Sequence, residues 1–137
     1  NFLIKLILFV ATTTSIALPP QCSNYSSITD STRLTTYNVT VYICDSTILT
    51  GWYRIEGGAG TMLADTLPSI YRCSTHATGY YTGTYPAVGS TVNGTVCYYW
   101  SSNACNWSNL ISVTNCNGYY VYLLKAPPAC SLRYCTK

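Results

Sequence analysis

The chain has 137 residues, a length typical of one domain, and only 8% of them are Asp, Glu, Lys or Arg. An ordinary soluble domain has about 25% charged residues, so this composition argues against acid–base catalysis and predicts that the chain is not an enzyme. The net charge is +3 and the seven basic residues are scattered along the chain. This pattern excludes the basic stripe of a nucleic-acid-binding protein.

The N-terminal segment is predicted to be a secretory signal peptide. Residues 2–10 form an apolar run interrupted by one lysine. The run is too short to cross a bilayer, and small residues leading to Ala17 suit a cleavage site. We therefore predict a signal peptide over 1–17, incomplete at its start because the chain begins with Asn. The mature domain, 18–137, is expected to be secreted without a membrane span.

The first half of the mature domain predicts two strands after an irregular lead-in. The lead-in, 18–34, is rich in Ser, Thr, Pro and Asn, with one short helical turn expected at 31–35. The segment TYNVTVYIC, 36–44, alternates apolar and polar residues and predicts a strand. The segment GWYRI, 51–55, predicts a second strand. The glycines within 57–60 then favour a tight turn.

The second half predicts loops and two hairpins. A short strand is expected at 69–72 and a long surface loop with edge segments at 76–90. Asn-Gly pairs between apolar runs are strong hairpin signals, and they occur at Asn93-Gly94 and Asn117-Gly118. Pro127-Pro128 ends the last of these strands. Strand signals dominate, so the fold class is mainly β: a small, disulfide-stapled, β-rich domain with long loops and little helix.

The eight cysteines all follow the predicted signal peptide. They are Cys22, Cys44, Cys73, Cys97, Cys105, Cys116, Cys130 and Cys135. An even number in a secreted chain favours four disulfides, and a zinc cluster of cysteines alone is the alternative. A single histidine cannot complete a Cys/His set, so no metal site and no cofactor are predicted. Only Cys97–Cys105 can be paired locally, across the turn-forming stretch YYWSSNA.

Four Asn-x-Ser/Thr sequons predict N-glycosylation on the surface of a secreted protein. They lie at Asn24, Asn38, Asn93 and Asn106. Glycans at these sites would keep a charge-poor surface soluble, and they would also be available to binding partners.

Catalytic groups are sparse. Asp45 and Glu56 could form a glycosidase-type pair, but their spacing does not set them face to face. His76 could be combined with Asp65 and a serine into a triad, but no nucleophile-elbow motif surrounds any serine. We therefore expect solvated or capping carboxylates and an exposed histidine, and a small secreted hydrolase is the least favoured function.

Tryptophan and arginine side chains offer binding chemistry instead. Trp52, Trp100 and Trp107 could stack on sugar rings, although the last two are expected to pack around the Cys97–Cys105 hairpin. Arg54 could bind an anion or pair with Glu56, but hydrogen bonding to backbone carbonyls is the role we favour.

Several motifs together resemble those of a known extracellular module. They are Cys44-Asp45, Gly51-Trp52-Tyr53-Arg54, Gly58-Ala59, Arg72-Cys73, Tyr119-Tyr120-Val121-Tyr122, Ala126-Pro127-Pro128 and Tyr134-Cys135. In these motifs the chain resembles the cysteine-rich domain of the uromodulin and pancreatic zymogen-granule membrane glycoprotein family, in its eight-cysteine form. The resemblance spans 22–135 and is loose between 76 and 92.

The resemblance implies a disulfide pattern. The implied pairs are Cys22–Cys116, Cys44–Cys130, Cys73–Cys135 and Cys97–Cys105. Members with ten cysteines have a further pair, which aligns with Leu67 and Ala104 of this chain. Both cysteines of that pair are therefore replaced together, and no odd thiol is left.

The resemblance also implies a function. Its members display N-glycans that bacterial fimbrial lectins bind, so a non-enzymatic, glycosylated decoy module is expected, with microbial adhesins or host extracellular proteins as partners. The glycan-bearing site of those members aligns with 82–84, where this chain has no Asn. The alternative is a structural spacer within a longer extracellular protein that contains zona pellucida or EGF-like modules.

Overall fold

The computed structural model describes residues 6–13 and 15–137. The predicted signal peptide lies partly outside the described residues, at 1–5 and 14. Its described part has no regular secondary structure. Within the described ranges, no helix has the length and apolar character needed to cross a membrane.

Seven strands form one sheet, which confirms the mainly β prediction. The strands are β1 (Ser26–Ile28), β2 (Gly51–Ile55), β3 (Ala77–Tyr81), β4 (Thr91–Trp100), β5 (Asn103–Asn115), β6 (Tyr120–Leu124) and β7 (Leu132–Tyr134). The helical content of the described residues is three short 3₁₀ turns, at Pro20–Cys22, Ser31–Arg33 and Gly57–Ala59. The turn at Ser31–Arg33 agrees with the helical turn expected at 31–35.

The strand order places β1 and β7 at the two edges of the sheet. The order is β1-β2-β6-β5-β4-β3-β7. The four inner pairings are antiparallel, whereas β1 with β2 and β3 with β7 are parallel. Parallel neighbours need long crossover connections, so the lead-in and the C-terminal segment each run across the molecule to reach their edges.

One face of the sheet carries the main core, in which tyrosine takes the place of phenylalanine. The largest apolar groups that are fully buried there are Tyr81, Tyr98, Tyr122, Tyr134, Ile55, Leu63, Leu124 and Leu132. Each phenol needs a partner when it is buried, and the Tyr98 hydroxyl donates to Asn109 Oδ1 at 2.8 Å. The Tyr134 hydroxyl donates to the Lys125 carbonyl at 2.7 Å.

The lead-in covers part of the opposite face. Cys22 and Cys116 are buried there with Val121, and Trp52 packs against them. The Gln21 side chain donates to the Thr114 hydroxyl, which is fully buried, at 3.0 Å. The lead-in is therefore part of the folded domain from Gln21 onward.

Two local predictions are confirmed. The segment GWYRI forms β2, and Gly57 and Gly60 behind it have φ of 60° and 84°. Asn117-Gly118 connects β5 to β6, with φ of 59° and 107° at the two residues. These positive values are the ones that a two-residue hairpin turn requires.

The prediction of a hairpin turn at Asn93-Gly94 is wrong. Both residues lie inside β4, paired with β5, and neither has a positive φ. The turn of this hairpin is at Ser101-Ser102, with φ of 52° and 59°. Gly94 is required for a different reason: a Cβ there would overlap the ring and hydroxyl of Tyr81. The glycine admits a core tyrosine and does not reverse the chain.

The prediction of a strand over 36–44 is also wrong. Apart from a local turn, the segment makes one isolated bridge, Asn38 with Arg72, and a backbone hydrogen bond from Ile43 N to Ser74 O at 2.7 Å. The nearby edge of β7 is occupied, because the backbone N–H and C=O of Tyr134 are bonded by side chains. A segment can pair with a strand only where that strand has free backbone groups, so the alternating segment 36–44 does not become a strand here.

Three shorter assignments are corrected as well. The segment 69–72 is not a strand, because Tyr71 and Cys73 have φ of 57° and 44°. The predicted surface loop 76–90 contains β3, which is buried between β4 and β7. A Cβ on its Gly79 would meet the Arg133 carbonyl, so the glycine permits close strand packing. The lead-in, expected to be irregular, contributes β1.

Candidate functional site

Four disulfides connect distant parts of the chain. The pairs are Cys22–Cys116, Cys44–Cys130, Cys73–Cys135 and Cys97–Cys105, the same pairs that the resemblance implies. Their Cα–Cα distances lie between 4.7 and 5.6 Å, within the normal range. Three of them connect the segment 22–73 to 116–135. All eight cysteines are used, so the alternative of a cysteine-only zinc cluster has no thiolates available.

The two positions of the absent fifth disulfide lie at the surface. Leu67 is 51% exposed, and Ala104 is exposed in β5 close to the hairpin turn. The backbone carbonyl of Ala104 accepts a hydrogen bond from the Tyr80 hydroxyl at 2.9 Å. A tyrosine hydrogen bond therefore holds this end of the hairpin against β3.

A buried ionic network is the feature that sequence reasoning missed. Arg133 on β7 is 2% exposed, and it donates to Asp30 Oδ2 at 2.7 Å and to the Cys73 carbonyl at 3.0 Å. Arg33 forms a bidentate pair with the buried Asp45, at 2.7 and 2.8 Å. Asp45 also accepts from the Tyr134 backbone N–H at 2.9 Å. The network fixes the outer edge of β7.

The pKa shifts in this network follow from burial and from hydrogen bonds. Burial lowers the pKa of Arg133, and the nearby Arg33 adds to the effect. Burial acts to raise the pKa of Asp30, but hydrogen bonds from Thr32 and Arg133 outweigh it, and the net shift is downward. The net shift favours the charged form of Asp30, and the neighbouring carboxylates of Asp30 and Asp45 favour the charged form of Arg133 against its burial.

The four sequon asparagines are all at the surface. Asn24, Asn38, Asn93 and Asn106 are exposed, in the segment before β1, in the 36–44 segment, on β4 and on β5. The Oδ1 atoms of Asn38 and Asn93 accept from Arg72 and Ser112. Within the described ranges, none of the four Nδ2 atoms donates a hydrogen bond to the protein. The nitrogen that would carry a glycan is therefore free at each site.

The imagined catalytic groups are held apart by separate partners. Asp45 is buried with Arg33, whereas Glu56 accepts from the Ser27 hydroxyl and lies 3.4 Å from Arg54. Asp65 pairs with Lys137 at 2.6 Å, and His76 contacts aromatic rings. In the part of the chain that the structure describes, no hydrogen bond or ion pair joins the imagined pair or triad members.

Arg54 belongs to an aromatic cluster on the opposite face of the sheet. Its guanidinium lies 3.9 Å from the centre of the Tyr119 ring and donates to the Tyr25 hydroxyl at 3.0 Å. The hydrogen bond to Tyr25 is the main cause of its raised pKa. Arg54 therefore pairs with Glu56, which was one of the two alternative roles considered from the sequence. The role that we favoured, hydrogen bonding to backbone carbonyls, is not found among its contacts in the described structure.

A second aromatic cluster surrounds His76. The Tyr42 ring stacks on the His76 ring at 3.7 Å, with 12° between their planes. Tyr71 and Trp100 approach His76 edge-on, at 6.1 and 6.2 Å. Tyr42 and Tyr71 are 51% and 45% exposed, so the cluster opens to solvent. A pocket of about 260 Å³ adjoins it, with Trp107 on its wall.

Comparisons with known proteins agree with the geometry. A family model described as a uromodulin-like domain matches residues 53–136. Pancreatic secretory granule membrane major glycoprotein GP2 of Rattus norvegicus is 41% identical over 120 residues, covering 84% of this chain and 22% of the relative. Uromodulin of Mus musculus is 41% identical over 117 residues, covering 84% of this chain and 18% of the relative. The chain spans about a fifth of the length of these curated relatives.

Proposed function

Because the chain belongs to the uromodulin-like domain family and is an extracellular, disulfide-rich module, we propose that it is a secreted, N-glycosylated binding module without enzymatic activity. Its glycans act as decoys that microbial adhesins bind. The observation that carries the proposal is the exposure of all four sequon asparagines, each with a free Nδ2 atom.

The proposed domain organisation is a signal peptide over 1–17 followed by one cysteine-rich domain over 18–137. The first regular element is the 3₁₀ turn at Pro20–Cys22, and Cys22 is bonded to Cys116. The described residues before Leu18 have no regular structure and are exposed. Leu18 is also exposed and irregular, and the ordered domain begins at Pro20, close behind the predicted cleavage site, which supports the assignment.

The absence of enzymatic activity is supported by how the carboxylates are used. The buried Asp45 is neutralised by a bidentate arginine and by a backbone N–H, so it has no role left as an acid or a base. Glu56 and Asp65 each lie beside a basic side chain. Each of these three carboxylates is therefore engaged by a basic side chain of the protein itself.

The positions of the sequons favour multivalent display. Asn24 lies next to the β1 edge, Asn38 bridges to Arg72 on the side of β7, and Asn93 and Asn106 lie on the long β4–β5 hairpin. Glycans at separated points let one domain engage several adhesin molecules of a fimbriated surface, and such avidity exceeds the affinity of any single contact. The segment 82–84, where relatives display a glycan, has no part in this proposal.

The test is capture of fimbriated bacteria by the secreted, disulfide-intact protein before and after enzymatic removal of N-glycans. We expect capture to be lost on removal. Site-specific variants assign the effect: Thr40→Ala destroys the Asn38 sequon, whereas Thr40→Ser preserves it and serves as the matched control. Equal capture by the glycosylated and deglycosylated proteins would reject the decoy mechanism.

A structural spacer is the second candidate function, and the length comparison favours it. The matched region is about a fifth of each relative, so in those proteins the module is one part of a longer chain. A spacer needs a rigid domain with covalent cross-links and no ligand. Mass spectrometry of the protein isolated from tissue tests this candidate. Further domains in the same polypeptide would support it, and a secreted species of the domain alone would reject it.

A further inference from the structure

The pocket beside His76 is lined by aromatic, aliphatic and small polar side chains. It has a volume of about 260 Å³ and lies between the end of the β4–β5 hairpin and the start of β7. Trp100 and Trp107 line it from the hairpin, and Leu132 lies at its β7 side. Both tryptophans are only partly buried against the core, so indole surface remains available to a ligand.

The pocket contains polar side chains but no carboxylate, lysine or arginine. His76 and Ser131 supply the polar side chains, and none of the lining residues is Asp, Glu, Lys or Arg. The His76 Nδ1 atom is buried and has no hydrogen-bond partner among the described residues. Ordinary ligand pockets combine apolar walls with a few polar groups that fix orientation, and this pocket has that combination at the size of a single ring.

The aromatic surface continues beyond the pocket. Tyr42 stacks on His76, and the Tyr71 ring lies 5.7 Å from Trp100 in an edge-on arrangement. Both tyrosines are more than two-fifths exposed, at 51% and 45%. A ligand that emerges from the pocket would therefore meet phenol rings with free hydroxyl edges.

We propose that this pocket binds one neutral pyranose unit of a glycan carried by another molecule. A pyranose has an apolar C–H face that suits the electron-rich face of an indole, and a rim of hydroxyls that suits His76 and Ser131. Because neither lysine nor arginine lines the pocket, sialic acid and other anionic sugars are not its preferred ligands. The module would thus receive a sugar as well as carry glycans, and this activity does not depend on its own glycosylation.

The experiment is an NMR titration of the disulfide-intact, enzymatically deglycosylated domain with neutral monosaccharides. Deglycosylation separates this test from the decoy test. We expect methyl mannoside, glucose, galactose or N-acetylglucosamine, at up to about 50 mM and thus well above a millimolar dissociation constant, to shift the indole N–H signals of Trp100 and Trp107. The Trp52 signal, from the opposite face of the sheet, is the internal control and should not move.

Matched ligands decide the chemical class. Glucuronic acid should bind no more tightly than glucose, because no basic side chain lines the pocket. Cyclohexanol presents a ring without the hydroxyl rim, so it should bind more weakly than the sugars. Stronger shifts with cyclohexanol would identify a pocket for an apolar side chain of a protein partner. That result, or the absence of shifts with every sugar, would overturn the proposal.

Two variants test the residues. Trp100→Ala removes one stacking ring and should weaken sugar binding about three- to tenfold, while Trp52→Phe should leave it unchanged. If Trp100→Ala fails to fold, Ser131→Asn replaces it, because asparagine tolerates the φ of 66° at this position and its larger side chain narrows the pocket. Ser131→Asn should also weaken sugar binding. Unchanged affinity in whichever of the two variants folds would contradict the assignment.

Discussion

At the scale of single residues, Arg133 and Asp45 hold the edge of the sheet. Side chains replace a neighbouring strand: Asp45 accepts from the Tyr134 N–H, and Arg33 donates to its carbonyl at 3.1 Å. Arg133 is fully buried with its guanidinium bonded to Asp30, Thr32 and the Cys73 carbonyl. Buried charges are tolerated only when paired in this way, and removal of one partner leaves the others unsatisfied.

The first prediction concerns Arg133. We expect Arg133→Met to lower the free energy of unfolding by about 3 kcal/mol, because the carbonyls and the carboxylate around it lose a buried donor. Arg72→Gln, at a half-buried arginine bonded to Asn38, should cost about 1 kcal/mol or less and is the control. Urea denaturation with the disulfides intact measures both variants. Equal midpoints would mean that the network has no net stabilising role.

Gly94 gives the second prediction at this scale. Gly94→Ala places a Cβ against the fully buried Tyr81 ring, and the resulting overpacking should cost about 1–3 kcal/mol. Gly51→Ala is the matched control, since the nearest atom to its Cβ is Tyr53 Cε2 at 3.9 Å, an ordinary contact. Thermal unfolding of the two variants compares them. If Gly51→Ala lowered the stability as much as Gly94→Ala does, the cause would be the conformational preference of the residue in a strand and not the contact with Tyr81.

At the scale of elements, local signals predicted those structures whose cause is local. The Asn117-Gly118 turn and the strand over 51–55 depend on residues within a few positions of each other, and both were predicted correctly. The same Asn-Gly signal failed at Asn93-Gly94. The glycine is needed there because the Tyr81 ring of β3 packs against it, and its sequence neighbours do not determine its role. A dipeptide cannot report a partner that is 13 residues away.

The strand expected over 36–44 failed for a related reason. Its alternation is real, but a ladder also needs a free edge, and side chains of Arg33 and Asp45 already bond the β7 edge. The same distance problem hid the ionic network, whose members Asp30 and Arg133 are 103 residues apart. Sequons and cysteines, by contrast, are recognisable residue by residue. The surface features of the candidate site could therefore be read from the sequence, whereas its pocket and its buried ions could not.

At the scale of the whole molecule, tyrosines and disulfides together replace a purely apolar core. Three bridges fasten the lead-in and the central loops to 116–135, and the hairpin has its own. The chain has 14 tyrosines but only two phenylalanines, and several tyrosines are fully buried. Each buried hydroxyl must stay protonated, because a phenolate in the core would have lost its hydration. Burial therefore raises the pKa of Tyr98 and Tyr122, and it raises that of Tyr85 to about 12.

This composition predicts a weakness at high pH. A group whose pKa is higher in the folded than in the unfolded state contributes stability that is fully present below the unfolded value, about 10 for tyrosine, and is lost as the pH rises toward the folded value. For Tyr85 that window runs from about 10 to about 12. For Tyr98 and Tyr122, both fully buried, the loss should amount to about 1.4 kcal/mol per pH unit for each residue once the pH exceeds 10.

The measurement is urea denaturation across a pH series, with tyrosinate absorbance recorded on the folded protein. We expect constant stability from about pH 6 to 9 and a steep fall above about pH 10. Tyr98→Phe should make the fall in stability above pH 10 less steep by about 1.4 kcal/mol per pH unit, the contribution of one buried tyrosine. Loss of its hydrogen bond to Asn109 should in addition lower the stability at every pH. If all 14 tyrosines ionise near pH 10 while the domain stays folded, the phenols are not held in the core as described.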